Sequence, residues 1–454
     1  MSVSTPFRVA VVGGGVAGTF CATVLAQGLQ SLGRGGEVHL FDSGRSLGGR
    51  ASTRLRNTTV GNTAPGASSS EIQVQYDHGA QFFRATHPHV KQILTSPLTA
   101  GLVGQWNARV GILGRRGGKF LPVEVIKNTG VLSPSLQKDD EEGADDDAAT
   151  SSKNELDFCG HLQGPPYFVG MPTMQSLCEG ICLRSKVHVH SSTEVVNMEW
   201  HPPTGHSTAP GEDDFAWNLT TLDLGGEPSS TQDSQFDHVV LATHSPGFAA
   251  AQLEKLISHD FEDSVDAELD DPEAAAVKSA AQQLSSLLAQ QEHIPARTLM
   301  VTLSRKSAAE FEAAAVHGSP ILQWIARDSS KPGRQSGSET SGAGSATETW
   351  VAHATDEFAR ETSHIDNHED SAEQRQGLCN TMLEELQLLL QRHEADLNHP
   401  NAEEPLSVVH AETQRWGSGF LAQDGPGAVN ISAVLAPDNA ADPSGQQVCI
   451  VASG

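Results

Sequence analysis

The chain has 454 residues, a length typical of two or three domains. Its 56 acidic residues against 29 basic ones give a formal net charge of −27, which argues against nucleic acid or an anionic membrane surface as a partner. With 37% hydrophobic residues and 43 glycines the composition is that of a globular protein, so disorder throughout is excluded. No apolar run approaches the roughly 18 residues of a membrane span, and the six residues ahead of Phe7, where a buried strand begins, are too few for a signal peptide. A cytoplasmic protein is the expectation.

The hydrophobic pattern predicts strands and helices that alternate in the N-terminal part of the chain and become mixed further on. Helices are predicted over residues 16–32, 172–183 and 376–397. Strands are predicted over residues 8–12, 37–41, 186–190, 194–200, 238–242, 298–303, 348–354 and 448–451. An early strand–helix–strand unit followed by mixed elements predicts an α/β fold, with a Rossmann-like domain and a discontinuous mixed-sheet domain.

Polar stretches interrupt these elements. Residues 139–147 read DDEEGADDD, with seven carboxylates in nine positions, and residues 335–349 form a Gly/Ser/Thr tract. Such stretches cannot bury apolar surface, so they are predicted to be solvated loops or flexible linkers. The same prediction applies to residues 202–214, 225–235, 259–272 and 364–374.

A glycine-rich turn follows the first strand. The sequence GGGVAG places Gly13, Gly15 and Gly18 at the three glycine positions of a GxGxxG motif, directly between a predicted strand and a predicted helix. The first glycine permits a tight turn, the second permits close approach of a pyrophosphate, and the third permits close packing of helix and strand. Val16 and Ala17 open the helix, whose free N–H groups favour an anion. A dinucleotide-binding turn is therefore predicted.

Two features downstream favour a flavin dinucleotide. The second predicted strand leads to Asp42, at the spacing where an acidic residue receives the ribose hydroxyls. A few residues later Gly48, Gly49 and Arg50 combine a second close backbone approach with a guanidinium suited to a diphosphate. The set of strand, GxGxxG, acidic residue and GGR is typical of two-domain FAD enzymes.

Further blocks extend this pattern along the chain. They are YDHGAQFF at residues 76–83, FVGMPTM at 168–174, FDHVVLA at 236–242, WIARDSSKPGR at 324–334 and RW at 415–416. With these blocks the chain resembles the renalase-like branch of the flavin amine oxidase superfamily, from residue 8 to about residue 420. The DSSKPGR sequence is the most specific part of the resemblance.

The resemblance implies two discontinuous domains. The FAD-binding domain would comprise residues 1–84, 165–247 and 425–454. The substrate domain would comprise residues 85–164 and 248–424, with inserts near 134–157, 259–272, 335–348 and 364–374.

The resemblance also implies the cofactor-binding residues. Gly13, Gly15 and Gly18, with Val16 and Ala17, would hold the pyrophosphate, while Gly49 and Arg50 would lie beside the phosphates. In the same carry-over Asp42 would bind the adenosine ribose and the backbone of Val195 would meet the adenine. Near the isoalloxazine the resemblance places Gly79, Ala80 and Gln81, with His78 as a further residue for contact with cofactor or substrate.

The implied function is an FAD-dependent oxidoreductase. A hydride would pass to the flavin from a small molecule, either an amine or a dihydronicotinamide dinucleotide, and O2 would be the final acceptor and give hydrogen peroxide. One alternative is a degenerate, non-catalytic relative of the flavoproteins, and another is an NAD(P)-dependent dehydrogenase, against which the GGR block argues. No catalytic acid or base and no oligomeric state follows from the sequence.

Three departures from the family bear on cofactor affinity. Asp42 stands where the superfamily usually has Glu, and Gly44 where many amine oxidases have Arg. The sequence stops at Gly454, three residues after the last predicted strand, where the family continues with a Gly-Asp-rich block that opens a helix under the flavin. Either a truncated gene product or an impaired affinity for FAD is expected.

The remaining histidines and cysteines receive plain structural interpretations. His188 and His190 alternate with valines and are predicted to form the solvated face of a strand, and no metal site is predicted. Cys178 and Cys182, four residues apart in a predicted helix, are predicted to be buried as small apolar side chains. Lys331, with Asp328, is predicted either to shape the substrate domain or to belong to a polar turn.

Overall fold

A computed structural model describes residues 7–33, 35–60, 70–129, 158–200, 217–226, 235–262, 272–334, 347–365, 372–400, 402, 404–421 and 449–450. The predicted loops at 139–147 and 202–214 lie outside these residues, and so does most of the Gly/Ser/Thr tract. The chain divides into two compact units. Unit 1 comprises Met1–Arg50, Cys178–His293 and Phe420–Gly454, and unit 2 comprises Ala51–Leu177 and Ile294–Gly419.

The helices and strands have the following bounds. The helices are α1 Val16–Ser31, α2 Pro88–Leu94, α3 Val123–Thr129, α4 Met174–Arg184, α5 Pro246–Glu262, α6 Pro272–Ala289, α7 Asp356–Glu361 and α8 Ala372–Asp396. The strands of the first half are β1 Phe7–Val12, β2 Gly36–Asp42, β3 Arg54–Val60, β4 Ser70–Tyr76, β5 Val103–Trp106, β6 Val110–Gly114, β7 Phe120–Pro122, β8 Tyr167–Gly170, β9 His188–Ser191 and β10 Thr193–Trp200. Those of the second half are β11 Trp217–Asp223, β12 Gln235–Phe236, β13 His238–Leu241, β14 His293–Leu303, β15 Ala313–His317, β16 Leu322–Arg327, β17 Glu348–Ala354, β18 Val408–Leu421 and β19 Cys449–Ile450.

Unit 1 is built on a parallel sheet with the strand order β19-β13-β1-β2-β9. The central strand β1 reads FRVAVV and is buried along its last four residues, as expected of a strand covered on both faces. A three-stranded antiparallel sheet, β10-β11-β12, supplies apolar residues such as Trp217 and Phe236 to the same core. Leu253 and Leu288, from α5 and α6, complete this core.

Unit 2 is built on a mixed sheet with the strand order β18-β14-β17-β16-β15-β6-β7. All the pairings described by register in this sheet are antiparallel except that of β15 with β6. Its central strand β17 is buried at all seven positions, including the polar residues Glu348, Thr349 and His353. Helix α8 packs Met382, Leu386 and Leu389 against one face of this sheet. The antiparallel strand pairs β3–β4 and β5–β8 belong to the same unit.

The predicted fold class is confirmed: a Rossmann-like parallel sheet and a separate mixed sheet form an α/β protein. The predicted assignment of the two domains to FAD and to substrate stays a prediction. None of the helices in the described ranges has both the length and the apolar character needed to cross a bilayer.

Several element boundaries differ from the predicted ones. Helix α4 begins at Met174 instead of residue 172, and β9 begins at His188 because Lys186 adopts a φ of 58°, outside the strand region. Residues 259–262 and 372–374, predicted as parts of polar inserts, belong to α5 and α8. The acidic and polar composition of these residues hid the helical turns from the sequence pattern.

Candidate functional site

The turn after β1 has the geometry that two of its glycines impose. Gly13 has a φ of +111°, its N–H donates to the carbonyl of Phe41 at 2.8 Å, and a Cβ there would overlap the carbonyl of Ala242. A Cβ on Gly18 would overlap the carbonyl oxygen of Gly13. The packing of this unit itself therefore requires glycine at both positions.

Gly15 is a different case. Its φ of −69° is open to any residue, and a Cβ built there would meet no atom within 4 Å. Gly15 is the N-cap of α1, and no side chain of the described residues caps this helix. The start of the helix borders this open space, and the adjoining Val16 is 48% exposed. Glycine at this position is explained by a ligand that approaches the backbone, and not by the protein's own packing.

The second glycine pair lies directly on the first loop. The N–H of Gly48 donates to the carbonyl of Gly14 at 2.8 Å, and Gly15 and Gly48 form a parallel bridge. Gly49 has a φ of +52°, and a Cβ there would lie 3.2 Å from the Cα of Gly15. The GxGxxG and GGR sequences thus form one continuous glycine-lined surface within unit 1.

Asp42 closes the other side of this loop. Its Oδ2 accepts the N–H of Gly14 at 2.5 Å and its Oδ1 accepts the N–H of Gly44 at 2.7 Å. The carbonyl of Gly44 in turn accepts the N–H of Ser192, in the turn between β9 and β10. Since each carboxylate oxygen has two lone-pair directions, a ribose hydroxyl can still donate to Asp42. The carboxylate therefore holds the loop in addition to any role toward a ligand.

Arg50 and two histidines of unit 1 influence one another electrostatically beside the glycine loop. Burial lowers the pKa of the Arg50 guanidinium. The pKa of His293 is also lowered, first by burial and then by the charges of Arg50 and His244. His244 and His293 could not be predicted from the sequence, since neither belongs to a motif. Val195, predicted near adenine, lies in β10 at a bulge between Val195 and Asn197.

The DHGAQ block lies in unit 2 and is largely buried. His78 is 5% exposed, its ring stacks on Trp416 with centroids 5.0 Å apart, and its carbonyl accepts the Trp416 indole N–H at 3.2 Å. Its Nδ1 has no hydrogen-bond partner among the described residues. Burial, aided by the charge of Arg54, lowers the pKa of His78 to about 4. The ring is therefore neutral at pH 7.

Gln81 stabilises the loop from inside. Its amide N–H groups donate to the carbonyls of Asp77 and Gly79, and its oxygen accepts from Nζ of Lys331 at 3.3 Å. The side chain is 2% exposed, so these contacts engage both ends of the carboxamide. Gly79 and Ala80 are half-buried, which leaves the backbone of this loop, more than the Gln81 side chain, open to a ligand.

Asp77 is the centre of a buried ionic cluster, defined here as Asp77, Asp328, Lys331 and Arg334. Nζ of Lys331 lies 3.0 Å from Asp77 and 2.5 Å from Asp328, and Arg334 also donates to Asp77. The side chains of this cluster are at most 2% exposed. The two carboxylates and the two cations of the cluster balance in charge. Such pairing is needed because an unpaired charge is very costly to bury.

The two carboxylates of the cluster are in unequal surroundings. Burial alone would raise the pKa of Asp77, but Lys331 and Arg334 hold it below its ordinary value. For Asp328 burial dominates, and together with the charge of Asp77 it outweighs Lys331 and holds the pKa above the ordinary value.

The cluster joins blocks that are far apart in sequence. Asp77 also accepts the hydroxyl of Thr53 at 2.6 Å and the N–H of Met174 at 3.2 Å. Phe83 and Phe168 exchange backbone hydrogen bonds at 2.9 Å. The interpretation of Lys331 as part of a polar turn is thus incomplete, because the turn delivers a fully buried ammonium. The one sequence signal for it was the DSSKPGR resemblance.

The two cysteines of α4 are buried, as predicted. Cys178 is 1% and Cys182 0% exposed. Burial raises the pKa of their thiols to about 11 and about 12. Both are therefore protonated at neutral pH, which makes them poor nucleophiles.

Residues 11–96 match the family of NAD(P)-binding Rossmann-like domains. The match contains the glycine loop, Asp42 and the GGR sequence, and it also reaches the DHGAQ block.

The chain is also similar to solved structures at low identity. One is an oxidoreductase from Methanosarcina mazei, with 11% identity, a TM-score of 0.48, and coverage of 90% of this chain and 87% of that chain. Another is wild-type putrescine oxidase bound to putrescine, with 14% identity, a TM-score of 0.46, and coverage of 90% and 84%. A third is the PF1083 protein from Pyrococcus furiosus, with 14% identity, a TM-score of 0.43, and coverage of 90% and 88%.

Proposed function

We propose that this protein is an FAD-dependent oxidoreductase of the renalase-like type. The observation that carries the proposal is the open side of Gly15. Neither its backbone conformation nor its surroundings require glycine, and the uncapped start of α1 and the Gly48–Gly49 pair border the same space. A pyrophosphate fits such a surface, because it needs backbone approach and free N–H groups.

The proposed dinucleotide contacts come from unit 1. Gly13, Gly15 and Gly18 form the turn, and the N–H groups of Val16 and Ala17 face the pyrophosphate. Gly49 offers further backbone, and the half-buried Arg50 offers a guanidinium whose charge is less screened than on an open surface. Asp42 would receive the ribose hydroxyls and Val195 would meet the adenine.

When bound, FAD supplies the hydride-accepting chemistry that side chains lack. The proposed substrate is an amine or a dihydronicotinamide dinucleotide, which loses a hydride, and O2 is the proposed final acceptor, leaving as hydrogen peroxide. The protein's own contribution is a low-dielectric setting. In the DHGAQ loop a neutral imidazole at His78 and a charge-balanced cluster at Asp77 add no net charge. Gly79, Ala80 and Gln81 stay predicted as the segment near the flavin ring.

The proposal is tested by comparing two glycines of the same helical segment. Gly15 and Gly28 both lack neighbours within 4 Å of a built Cβ. We expect Gly15→Ala to fold like the parent chain but to lose at least tenfold in FAD affinity, measured by titration of the apoprotein with FAD. Gly28→Ala is the matched control, and it should keep FAD affinity while gaining helix stability, since alanine is the better helix former.

The second arm measures turnover. The FAD-loaded protein is offered a dihydronicotinamide dinucleotide and, separately, a panel of amines, and hydrogen peroxide is followed. Peroxide formation with either class supports the oxidase. Tight FAD binding with no turnover would instead favour the non-catalytic relative. An apoprotein that takes up no FAD, or a Gly15→Ala variant that binds FAD like the parent, would refute the proposed cofactor site.

A further inference from the structure

A group of imidazole and carboxylate side chains lies on the parallel sheet of unit 1, apart from the glycine loop. In the register of β2 and β9, His39 lies opposite His188 and Phe41 opposite His190. Alternate residues of a strand share a face, so Glu37 and His39 lie on the same side of the sheet as both histidines of β9. Strand β9 is the edge of this sheet.

His39 is the centre of this group. It is 2% exposed, and its ring lies nearly parallel to those of His188 and His190, with centroids 4.8 Å and 5.2 Å away. Its Nδ1 lies 3.0 Å from Nε2 of His190, and its Nε2 lies 3.3 Å from Oε2 of Glu37. The predicted solvated face of β9 holds for His188, which is exposed, but His190 is half-buried and its ring also stacks on Phe41. Val189, on the other face of the strand, is 41% exposed.

We propose that Glu37, His39 and His188 form a binding site for Zn²⁺ or a similar divalent transition-metal ion. One ligand atom of each lies within 4.8 Å of those of the other two. Ligand atoms around a tetrahedral Zn²⁺, with bonds of about 2.0–2.1 Å, are roughly 3.4 Å apart. His188 is exposed on the edge strand, so rotation of its side chain can bring the three atoms to that spacing.

The donor set selects the class of ion. Two imidazoles and one carboxylate suit Zn²⁺ and its neighbours, whereas Mg²⁺ and Ca²⁺ prefer oxygen ligands. Ligation through Nε2 of His39 leaves its Nδ1 hydrogen-bonded to His190, and such a bond fixes the ring of a metal-bound histidine. The exposed side of the site leaves room for water as a fourth ligand.

The position of Arg8 predicts which substitutions should strengthen metal binding and which should weaken it. Its Nε lies 3.5 Å from Oε2 of Glu37 and its Nη2 lies 3.4 Å from Nε2 of His39. The guanidinium therefore stands beside two of the proposed ligand atoms and competes with a metal ion for them. Removal of this cation should tighten metal binding, whereas removal of a ligand should weaken it.

The experiment is a Zn²⁺ titration of the full chain without an affinity tag, in competition with a chromophoric chelator. We expect one saturable site in the parent chain. Glu37→Gln and His188→Ala should each weaken it at least tenfold, and Arg8→Gln should tighten it severalfold. The matched control is the double variant His87→Ala, His89→Ala: these residues form an exposed pair with stacked rings 5.3 Å apart, and their loss should leave the affinity unchanged.

A second measurement, the thermal midpoint with and without Zn²⁺, distinguishes loss of the metal site from loss of the fold. Zn²⁺ should raise the thermal midpoint of the parent chain and of the control, and the shift should vanish in His188→Ala, a change at an exposed position. The proposal is overturned if the parent chain has no saturable site. It is also overturned if Glu37→Gln and His188→Ala bind Zn²⁺ as the parent does, or if Arg8→Gln binds it more weakly. None of these outcomes depends on FAD.

Discussion

Nζ of Lys331 lies 3.0 Å from Oδ2 of Asp77, and neither side chain is exposed to solvent. The two residues are 254 positions apart in the sequence. Their contact fixes the start of the DHGAQ loop against the turn that follows β16. Because Gln81 also receives a hydrogen bond from Lys331, one ammonium group holds both ends of the segment that contains Gly79 and Ala80.

The first prediction concerns the removal of this ammonium. Lys331→Met keeps an unbranched side chain of similar length but leaves Asp77 and Asp328 short of a cation. Breaking a buried pair in this way costs about 3–5 kcal/mol, because the remaining charge stays buried. We expect a loss of this size in the free energy of unfolding, measured with urea on the apoprotein.

The control for Lys331→Met is an exposed ion pair in the same unit. Arg109 and Glu310 are 3.1 Å apart with side chains about half exposed, so Arg109→Gln should change stability by less than about 1 kcal/mol. A combined variant, Lys331→Met with Asp77→Asn, should lose less than the sum of the single losses, because the two residues share one interaction. Additive losses would contradict the coupling inferred from the geometry.

The sequence predicted the glycine loop but not the ionic cluster. The reason is the separation along the sequence of the residues that form each of them. The residues from Gly13 to Arg50 form their site within one strand–helix–strand unit, where spacing alone determines which groups meet. Lys331 and Asp77 meet only after the mixed sheet has formed, and each has a plain local explanation in a turn or loop. Helices α5 and α6 escaped prediction because the acidic residues between them resemble a polar insert.

The histidine group of β2 and β9 is a second case in which residues far apart in the sequence meet only in the folded chain. The alternation of His188 and His190 with valines predicts a strand with one solvated face. The environment of these histidines depends on the neighbouring strand β2, because His39 of β2 lies opposite His188 in the register of the two strands. No pattern within β9 contains that information, and the pairing of strands 150 residues apart has to be known first.

The second prediction concerns pH. Burial, with the charges of Lys331 and His78 acting in the same direction, lowers the pKa of His353 to about 3. In the unfolded chain the ring returns to an ordinary pKa of about 6.5. Between these values the unfolded chain binds more protons, so the free energy of unfolding falls as the pH falls below about 6.5. Each pH unit in this window costs up to about 1.4 kcal/mol.

This pH dependence is tested with His353→Gln, measured by urea unfolding between about pH 5 and pH 7, above the range of ordinary carboxylates. Glutamine cannot take up the proton, so we expect a shallower fall in stability toward pH 5 than in the parent chain. Its stability at pH 7 should be lower, since the contact of the ring with Thr298 at 3.4 Å is lost. His87→Gln, at an exposed ring, is the control and should keep the parent slope. Equal slopes for all three proteins would contradict the prediction.

The third prediction separates the structural role of Asp42 from its proposed role toward the ribose. Its carboxylate accepts the N–H groups of Gly14 and Gly44, and asparagine has only one acceptor oxygen. In Asp42→Asn one of these N–H groups therefore faces an amide donor. We expect a loss of roughly 1–3 kcal/mol in the free energy of unfolding without any cofactor present.

A turn in the same unit provides the comparison for Asp42. Asp223 accepts the N–H of Gly225 at 2.8 Å, two residues on, in the same local geometry as Asp42 and Gly44, but at an exposed position. Asp223→Asn should lose less than about 1 kcal/mol, because water replaces the bond there. If the two asparagine variants lose the same amount, the Gly14 contact contributes nothing measurable, and the acidic residue at position 42 serves a ligand alone. If Asp42→Asn loses more, as expected, a weaker FAD affinity in that variant has to be corrected for the loop before it is attributed to the ribose.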